Sequence, residues 1–197
     1  MAWAQQPALA APQDFMATRP SAEATRLVDW VLQSRDARGK PFAVVDKRAA
    51  RLYVFQADGR LAGTTPALLG STVGDFTVPG VGERAQTGAI RQDERTTPAG
   101  RFEASAGENN KGERVVWVDY ANASAIHRLR PGFAYQARSS RLATGQAAGK
   151  RMSWGCVVVP VAFYQQVVDG VLGQGRSVVY VMPESSTLQA VFHALDS

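Results

Sequence analysis

The chain contains a single cysteine, Cys156, within the segment RMSWGCVVVP at residues 151–160. A nucleophilic thiolate needs a lowered pKa, access to substrate, and backbone N–H groups that stabilise the developing oxyanion. Gly155 permits a tight turn, which can aim the N–H groups of Gly155 and Cys156 at one point. A base for this thiol is His127, upstream at the end of a predicted strand. A buried structural thiol is the alternative, since a lone cysteine in an apolar run is commonly a core residue.

The composition is that of a globular domain and excludes several other classes of protein. A length of 197 residues suits one domain, and 45% hydrophobic with 20% charged residues argues against disorder. One cysteine excludes an intramolecular disulfide, and one cysteine with two histidines argues against a four-ligand zinc site. No apolar run approaches the roughly 18 residues of a membrane-spanning helix.

The net charge of +5 is carried mostly by arginines spread along the whole chain. The sequence has no block of Lys and Arg, no zinc-finger spacing and no RNP-like aromatic motif. We therefore expect no binding to nucleic acid. Attraction to a polyanion or to a carboxylate-rich substrate, and plain solvation of a charged surface, both stay open.

Two segments precede the predicted β-rich body. Residues 1–19 are rich in Ala, Pro and Gln and predict a loose leader. Within it, Ala2-Trp3-Ala4 has the small-x-small form that precedes signal-peptidase cleavage, which favours the mature end of an exported protein over a plain disordered leader. Residues 20–40 predict an amphipathic helix with Ser21 as N-cap. Its expected apolar face is Ala24, Leu27, Val28, Val31 and Leu32.

The elements that must position Cys156 and His127 lie in residues 41–183. Residues 42–70 predict a three-stranded β-meander, and further strands are predicted at 115–118, 124–126 and 176–182. Residues 70–100 and 130–151 predict loops, and long loops in a compact domain are commonly functional. Pro160 opens a predicted helix. Residues 184–197 predict a tail with a short helix at 189–195. Trp117 and Tyr120 are expected in the core, and His193 on the surface without a role.

Three motifs in the right order resemble the L,D-transpeptidase catalytic domain (the YkuD-type family). Ala125-Ile126-His127 is similar to the family's histidine motif, and Ser153-Trp154-Gly155-Cys156 to its Ser/Thr-His-Gly-Cys motif. The family's Thr-Pro-x-Gly-x-Phe motif is matched at every fixed position by residues 97–102, and its closing strand by residues 175–181. The resemblance covers residues 41–183.

The resemblance implies a β-sandwich-like catalytic domain that acts on peptidoglycan in the periplasm or cell envelope. Cys156 would attack the L,D peptide bond of a tetrapeptide stem, with His127 accepting the thiol proton. The thioester would pass to an acceptor amine on another stem or on a protein, or to water. The carbonyl of Arg128 would orient His127, and the amides at Trp154, Gly155 and Cys156 would form much of the oxyanion hole. No metal or organic cofactor is implied.

The chain departs from the family in three ways. Trp154 replaces a second histidine, and Val158 replaces an Arg or Asn two places after the cysteine. The segment between His127 and Ser153 is longer than the family's and can form a lid. Its cations are candidates to pair with a stem carboxylate, with solvated surface charge as the alternative reading of each. They are Arg128, Arg130, Arg138, Arg141, Lys150 and Arg151.

Three other functions remain open on the sequence. The same site could use water as acceptor, which would make the protein an L,D-carboxypeptidase or an amidase of stem peptides. Trp154 and Val158 would suit a non-catalytic peptidoglycan-binding protein. A cytosolic domain with a structural thiol at Cys156 is the last alternative.

Overall fold

The computed structural model describes residues 20–132 and 134–196, and in these ranges it contains ten strands and six α-helices. The strands are β1 (Phe42–Asp46), β2 (Arg51–Phe55), β3 (Leu61–Pro66), β4 (Leu69–Gly70), β5 (Gly100–Glu108), β6 (Arg114–Asp119), β7 (Ser124–Arg128), β8 (Arg151–Ser153), β9 (Val157–Val159) and β10 (Arg176–Val181). The helices are α1 (Ala22–Ser34), α2 (Val81–Thr87), α3 (Tyr135–Ala143), α4 (Val161–Phe163), α5 (Asp169–Val171) and α6 (Leu188–Val191). A π-helical segment (Tyr164–Val168) joins α4 to α5, and 3-10 turns occur at Gln92–Glu94 and His193–Asp196.

Eight strands form one mixed sheet in the order β3-β2-β1-β10-β5-β6-β7-β9, and β4 pairs with β8 in a second sheet. The pairs β1–β10 and β7–β9 are parallel, and the other neighbours in the large sheet are antiparallel. Leu68, between β3 and β4, exchanges two backbone hydrogen bonds of 2.8 and 2.9 Å with Val158 of β9. The two ends of the strand order are therefore linked, and the sheet curls around an apolar interior.

Both faces of the sheet are covered, which explains why β1 is buried at every position. Side chains alternate along a strand, so Ala43 and Val45 join one apolar cluster while Phe42 and Val44 join another. The first cluster includes the helical residues that follow Cys156, and the second includes α1 and α6. This arrangement confirms the predicted mostly-β domain with peripheral helices, including the N-terminal helix and the helix after Cys156.

Helix α1 begins as the sequence predicts, because the Ser21 hydroxyl accepts a hydrogen bond of 3.1 Å from the N–H of Ala24. Ala24, Leu27 and Val31 are buried. Leu32 is 43% exposed, so its place on the buried face was wrongly predicted. The buried side chains of the helix are three and four residues apart, and Leu32 lies at the edge of this buried face. No helix in the described residues is long and apolar enough to cross a membrane.

Two predictions of loops were wrong in part. The segment 130–151 contains α3, whose only buried residue is Leu142, so the helix has too few apolar positions to produce a clear period. The segment 70–100 contains α2, which follows Gly80 and ends at Gly88. The third strand of the predicted meander divides into β3 and β4, which belong to different sheets. The predicted leader, residues 1–19 with Ala2-Trp3-Ala4, lies outside the described residues.

Candidate active site

His127 and Cys156 are brought together by the parallel pairing of β7 with β9. His127 is the fourth residue of β7 and lies opposite Val158, while Cys156 immediately precedes β9. His127 and Cys156, which are distant in sequence, therefore line the same cleft, whose volume is about 1010 Å³. His127 is 7% exposed, and Cys156 is partly exposed.

The backbone carbonyl of Arg128 fixes the imidazole of His127. Its oxygen lies 2.8 Å from Nδ1 of His127. A carbonyl oxygen only accepts hydrogen bonds, so this contact places the proton on Nδ1 and leaves the lone pair on Nε2. The Cys156 thiol donates to the carbonyl oxygen of Ala123 at 3.6 Å. No hydrogen bond within the described ranges joins the thiol to the imidazole.

Both groups are neutral at neutral pH. Burial lowers the pKa of His127 to about 4, and the charges of Arg130 and Arg138 act in the same direction. Burial also raises the pKa of the Cys156 thiol, against the smaller opposing effects of the Ala125 backbone and Arg130. The site therefore holds a thiol and an unprotonated imidazole, and not a thiolate–imidazolium pair.

Ser153 fixes the turn that presents Cys156. Its hydroxyl donates to the carbonyl oxygen of Cys156 at 2.6 Å and accepts from the N–H of Gly155 at 3.1 Å. Gly155 has φ of +126°, and a Cβ there would lie 2.8 Å from the carbonyl oxygen of Thr96. Only glycine fits this position without strain. Of the amides expected to form the oxyanion hole, the Gly155 N–H is already engaged, which leaves those of Trp154 and Cys156 as the candidates.

Thr97 connects the Thr-Pro motif to this turn. Its hydroxyl donates to the carbonyl oxygen of Gly155 at 2.9 Å and accepts from the N–H of Gly70 at 2.9 Å. Its own carbonyl oxygen accepts from Nζ of Lys47 at 2.8 Å. Thr97 therefore holds the start of the motif against the backbone of the turn that carries Cys156.

Lys47 is the centre of a buried ionic cluster behind the turn. Its Nζ lies 2.8 Å from the Asp75 carboxylate and 3.5 Å from that of Glu184. Asp75 also accepts from the backbone N–H groups of residues 184, 185 and 186. Arg151 pairs with Glu184 and donates to the Lys47 carbonyl oxygen. Sequence reasoning missed this cluster, since its members are far apart in the chain and no motif marks them.

Aromatic side chains form part of the cleft wall. Trp117 and Tyr120 both line the cleft, and Tyr120 is 73% exposed, so their predicted place in the core was wrong. The strand β6 ends at Asp119, which leaves Tyr120 in a turn outside the sheet. Trp154 is 49% exposed, with the Arg95 guanidinium 4.9 Å from the centre of its ring. Trp154 therefore lines the cleft beside Cys156.

The cations predicted to meet substrate divide into two groups. Arg130, Arg138 and Arg151 line the cleft, and Arg151 is already paired with Glu184. The others are not part of the cleft lining: Arg128 pairs with Glu113 at 2.7 Å, Lys150 is buried beneath Thr144 and Gln146, and Arg141 lies on α3 beside Gly149. No group of three or more His, Cys, Asp or Glu side chains among the described residues could hold a metal ion.

Comparison with solved structures finds a structural likeness, whereas the comparisons by sequence find nothing. No family model matches the chain, and no curated protein matches it. Among solved structures, the chain is similar to the NMR structure of the catalytic domain from the E. faecium L,D-transpeptidase. The identity is 17%, the alignment covers 73% of this chain and 98% of that chain, and the TM-score is 0.36.

Proposed function

We propose that the protein is a cysteine-dependent L,D-transpeptidase that acts on the tetrapeptide stems of peptidoglycan outside the cytoplasm. The observation that carries the proposal is the pairing of Cys156 with His127 in one cleft, with Nδ1 of His127 bonded to the Arg128 carbonyl oxygen. The three motifs that resemble that family support the choice of substrate. Thr97, from the Thr-Pro motif, contacts Gly155 of the Cys156 motif.

Acylation begins when the thiol turns from the Ala123 carbonyl oxygen towards Nε2 of His127, which accepts its proton. Sγ of Cys156 attacks the carbonyl carbon of the L,D bond, and the N–H groups of Trp154 and Cys156 stabilise the oxyanion that forms. The C–N bond then breaks. His127 gives its proton to the departing amine of the terminal D-residue, and a thioester remains on Cys156.

Deacylation reverses these roles. An acceptor amine, on a second stem or on a protein, attacks the thioester carbonyl while His127 accepts a proton from the amine nitrogen. The C–S bond breaks, and the proton on His127 returns to Sγ of Cys156. Water in place of the amine would give hydrolysis and a shortened stem. The neutral state of His127 suits both halves, since each begins with proton acceptance.

Intact-mass measurement tests the proposal. We expect incubation with a tetrapeptide stem, and separately with a carbapenem, to add one acyl group, mapped to Cys156 and absent from Cys156→Ala. With excess acceptor amine, we expect crosslinked product from the wild type alone. Shortened stems without crosslinks would show that the protein is a hydrolase and not a transferase. Failure of every stem to acylate Cys156 would contradict catalysis altogether.

A further inference from the structure

The cleft wall beside His127 carries more positive charge than the protein neutralises. One carboxylate, Glu113, pairs with Arg128 at 2.7 Å and with Arg130 at 2.6 Å. Arg138, on α3, has no carboxylate partner among residues 20–132 and 134–196. Its Nε is buried and has no hydrogen-bond partner in those ranges. A buried guanidinium nitrogen without a partner is costly, so this wall is suited to receive an anion.

Arg130 and Arg138 lie in the lining of the cleft that also contains His127. Both line the cleft, and the charge of each acts on His127. Arg130 also lowers the pKa of Arg138, together with burial. Two like charges held this close repel each other unless an anion lies between them. Glu113 pairs with Arg130, and no carboxylate in the described part of the chain forms a salt bridge with Arg138.

We propose that Arg130 and Arg138 together bind a free carboxylate of the acyl donor, next to the carbonyl that Cys156 attacks. The proposal rests on the proposed function for the identity of the donor. Guanidinium groups bind carboxylates through paired N–H donors, which gives orientation as well as affinity. Two carboxylates of a stem could lie here: the terminal carboxylate of the leaving D-residue, or the side-chain carboxylate of the diamino acid whose carbonyl is attacked.

A carboxylate bound by Arg130 and Arg138 would also raise the pKa of His127. The positive charges that hold the pKa of His127 down would be opposed by the donor's negative charge, so the imidazole would become a stronger proton acceptor on donor binding. The thiol would then lose its proton more readily in the complex than in the free protein. Donors with an amide in place of the carboxylate would bind less tightly and leave His127 unchanged.

Binding to the Cys156→Ala protein tests the subsite without catalysis. We would measure the dissociation constants of a free-acid tetrapeptide stem and of two amides, one blocked at the terminal carboxylate and one at the diamino-acid carboxylate. We expect one amide to bind about 10-fold or more weakly, and that amide identifies the recognised group. Arg138→Gln should remove the preference, and Arg138→Lys should restore part of it. Arg141→Gln, on the same helix but outside the cleft, should keep it.

The outcomes separate this inference from the proposed function. Equal binding of the free acid and both amides, or a preference that survives Arg138→Gln, would overturn the subsite even where stems acylate Cys156. A preference for the free acid that depends on Arg138, in a protein whose Cys156 no stem acylates, would keep the subsite and reject the transpeptidase. Absence of binding by every stem would overturn both.

Discussion

The hydroxyl of Thr97 donates a hydrogen bond of 2.9 Å to the carbonyl oxygen of Gly155, 58 residues further along the chain. This contact fixes the peptide group that precedes Cys156, and so it sets the direction of the Cys156 N–H. The same hydroxyl accepts from the N–H of Gly70. Thr97 is therefore a positioning residue, joining the loop before β5 to the turn that carries the thiol.

We expect Thr97→Val to lower the rate of Cys156 acylation by about 10- to 100-fold, because the oxyanion donors lose their alignment. The substitution also leaves two buried backbone groups unpaired, at a cost of about 1–3 kcal/mol each. Acylation by a carbapenem and urea denaturation would measure the two effects. Thr97→Ser keeps the hydroxyl and should recover most of the rate. An unchanged rate in Thr97→Val would show that the contact has no part in positioning.

Gly155→Ala should destabilise the protein and slow acylation. The backbone φ of +126° is strained for alanine, and the new Cβ would lie 2.8 Å from the Thr96 carbonyl oxygen. We expect a loss of about 1–3 kcal/mol in the free energy of unfolding, measured by urea denaturation. Gly145→Ala is the matched control, since a Cβ at Gly145 meets nothing within 4 Å. Equal stability of the two variants would mean that the turn is not constrained as described.

Acid should weaken the fold through His127. Its pKa falls from 6.5 in the unfolded chain to about 4 in the folded protein, so between these values the unfolded chain binds more protons. The contribution is fully present above pH 6.5 and is lost as the pH falls towards 4, by about 3 kcal/mol in all. Other groups also change the stability with pH, so the measurement is the difference between the pH profiles of wild type and His127→Gln. Parallel pH profiles of the two proteins would refute the assignment.

The Arg138→Gln variant should raise the pKa of His127, because the charge of Arg138 holds that pKa down. NMR titration of the His127 ring in wild type and variant measures the change directly. Arg141→Gln should change the titration less, since Arg141 lies outside the cleft and is not among the main causes of the shift in the His127 pKa. A His127 pKa that stays the same in Arg138→Gln would place the guanidinium too far away to share a bound carboxylate with Arg130.

The sequence was enough to predict most of the β-rich body and to single out Cys156 and His127, which the structure places in one cleft. Strands β6, β7 and β10 coincide with runs of apolar residues, and turn residues separate β1 from β2. The same reasoning missed α3, since one buried leucine gives no clear periodicity. It also placed Tyr120 wrongly in the core. The sequence around an aromatic residue just past the end of a strand is the same whether that side chain packs in the core or lines a cleft.

Contacts between distant residues were out of reach of that reasoning. The sequence marks Thr97 as part of a motif, but it does not show that its hydroxyl meets Gly155. Nothing in the sequence singles out Lys47, Asp75 and Glu184, although they form the buried cluster behind the site. Arg138 and Arg141 look alike in sequence, but of the two only Arg138 lines the cleft.

The buried cluster has a consequence for how the site is made. Lys47 lies in the turn between β1 and β2, while Glu184 follows β10, and the two are 3.5 Å apart beside the carbonyl oxygen of Thr97 that Lys47 also contacts. Pairing of β1 with β10 requires the same two regions of the chain. Contacts of such high sequence separation form late and slow folding. We therefore expect the contacts that support the Thr97 side of the Cys156 turn to be complete only once residues up to Glu184 are free to fold.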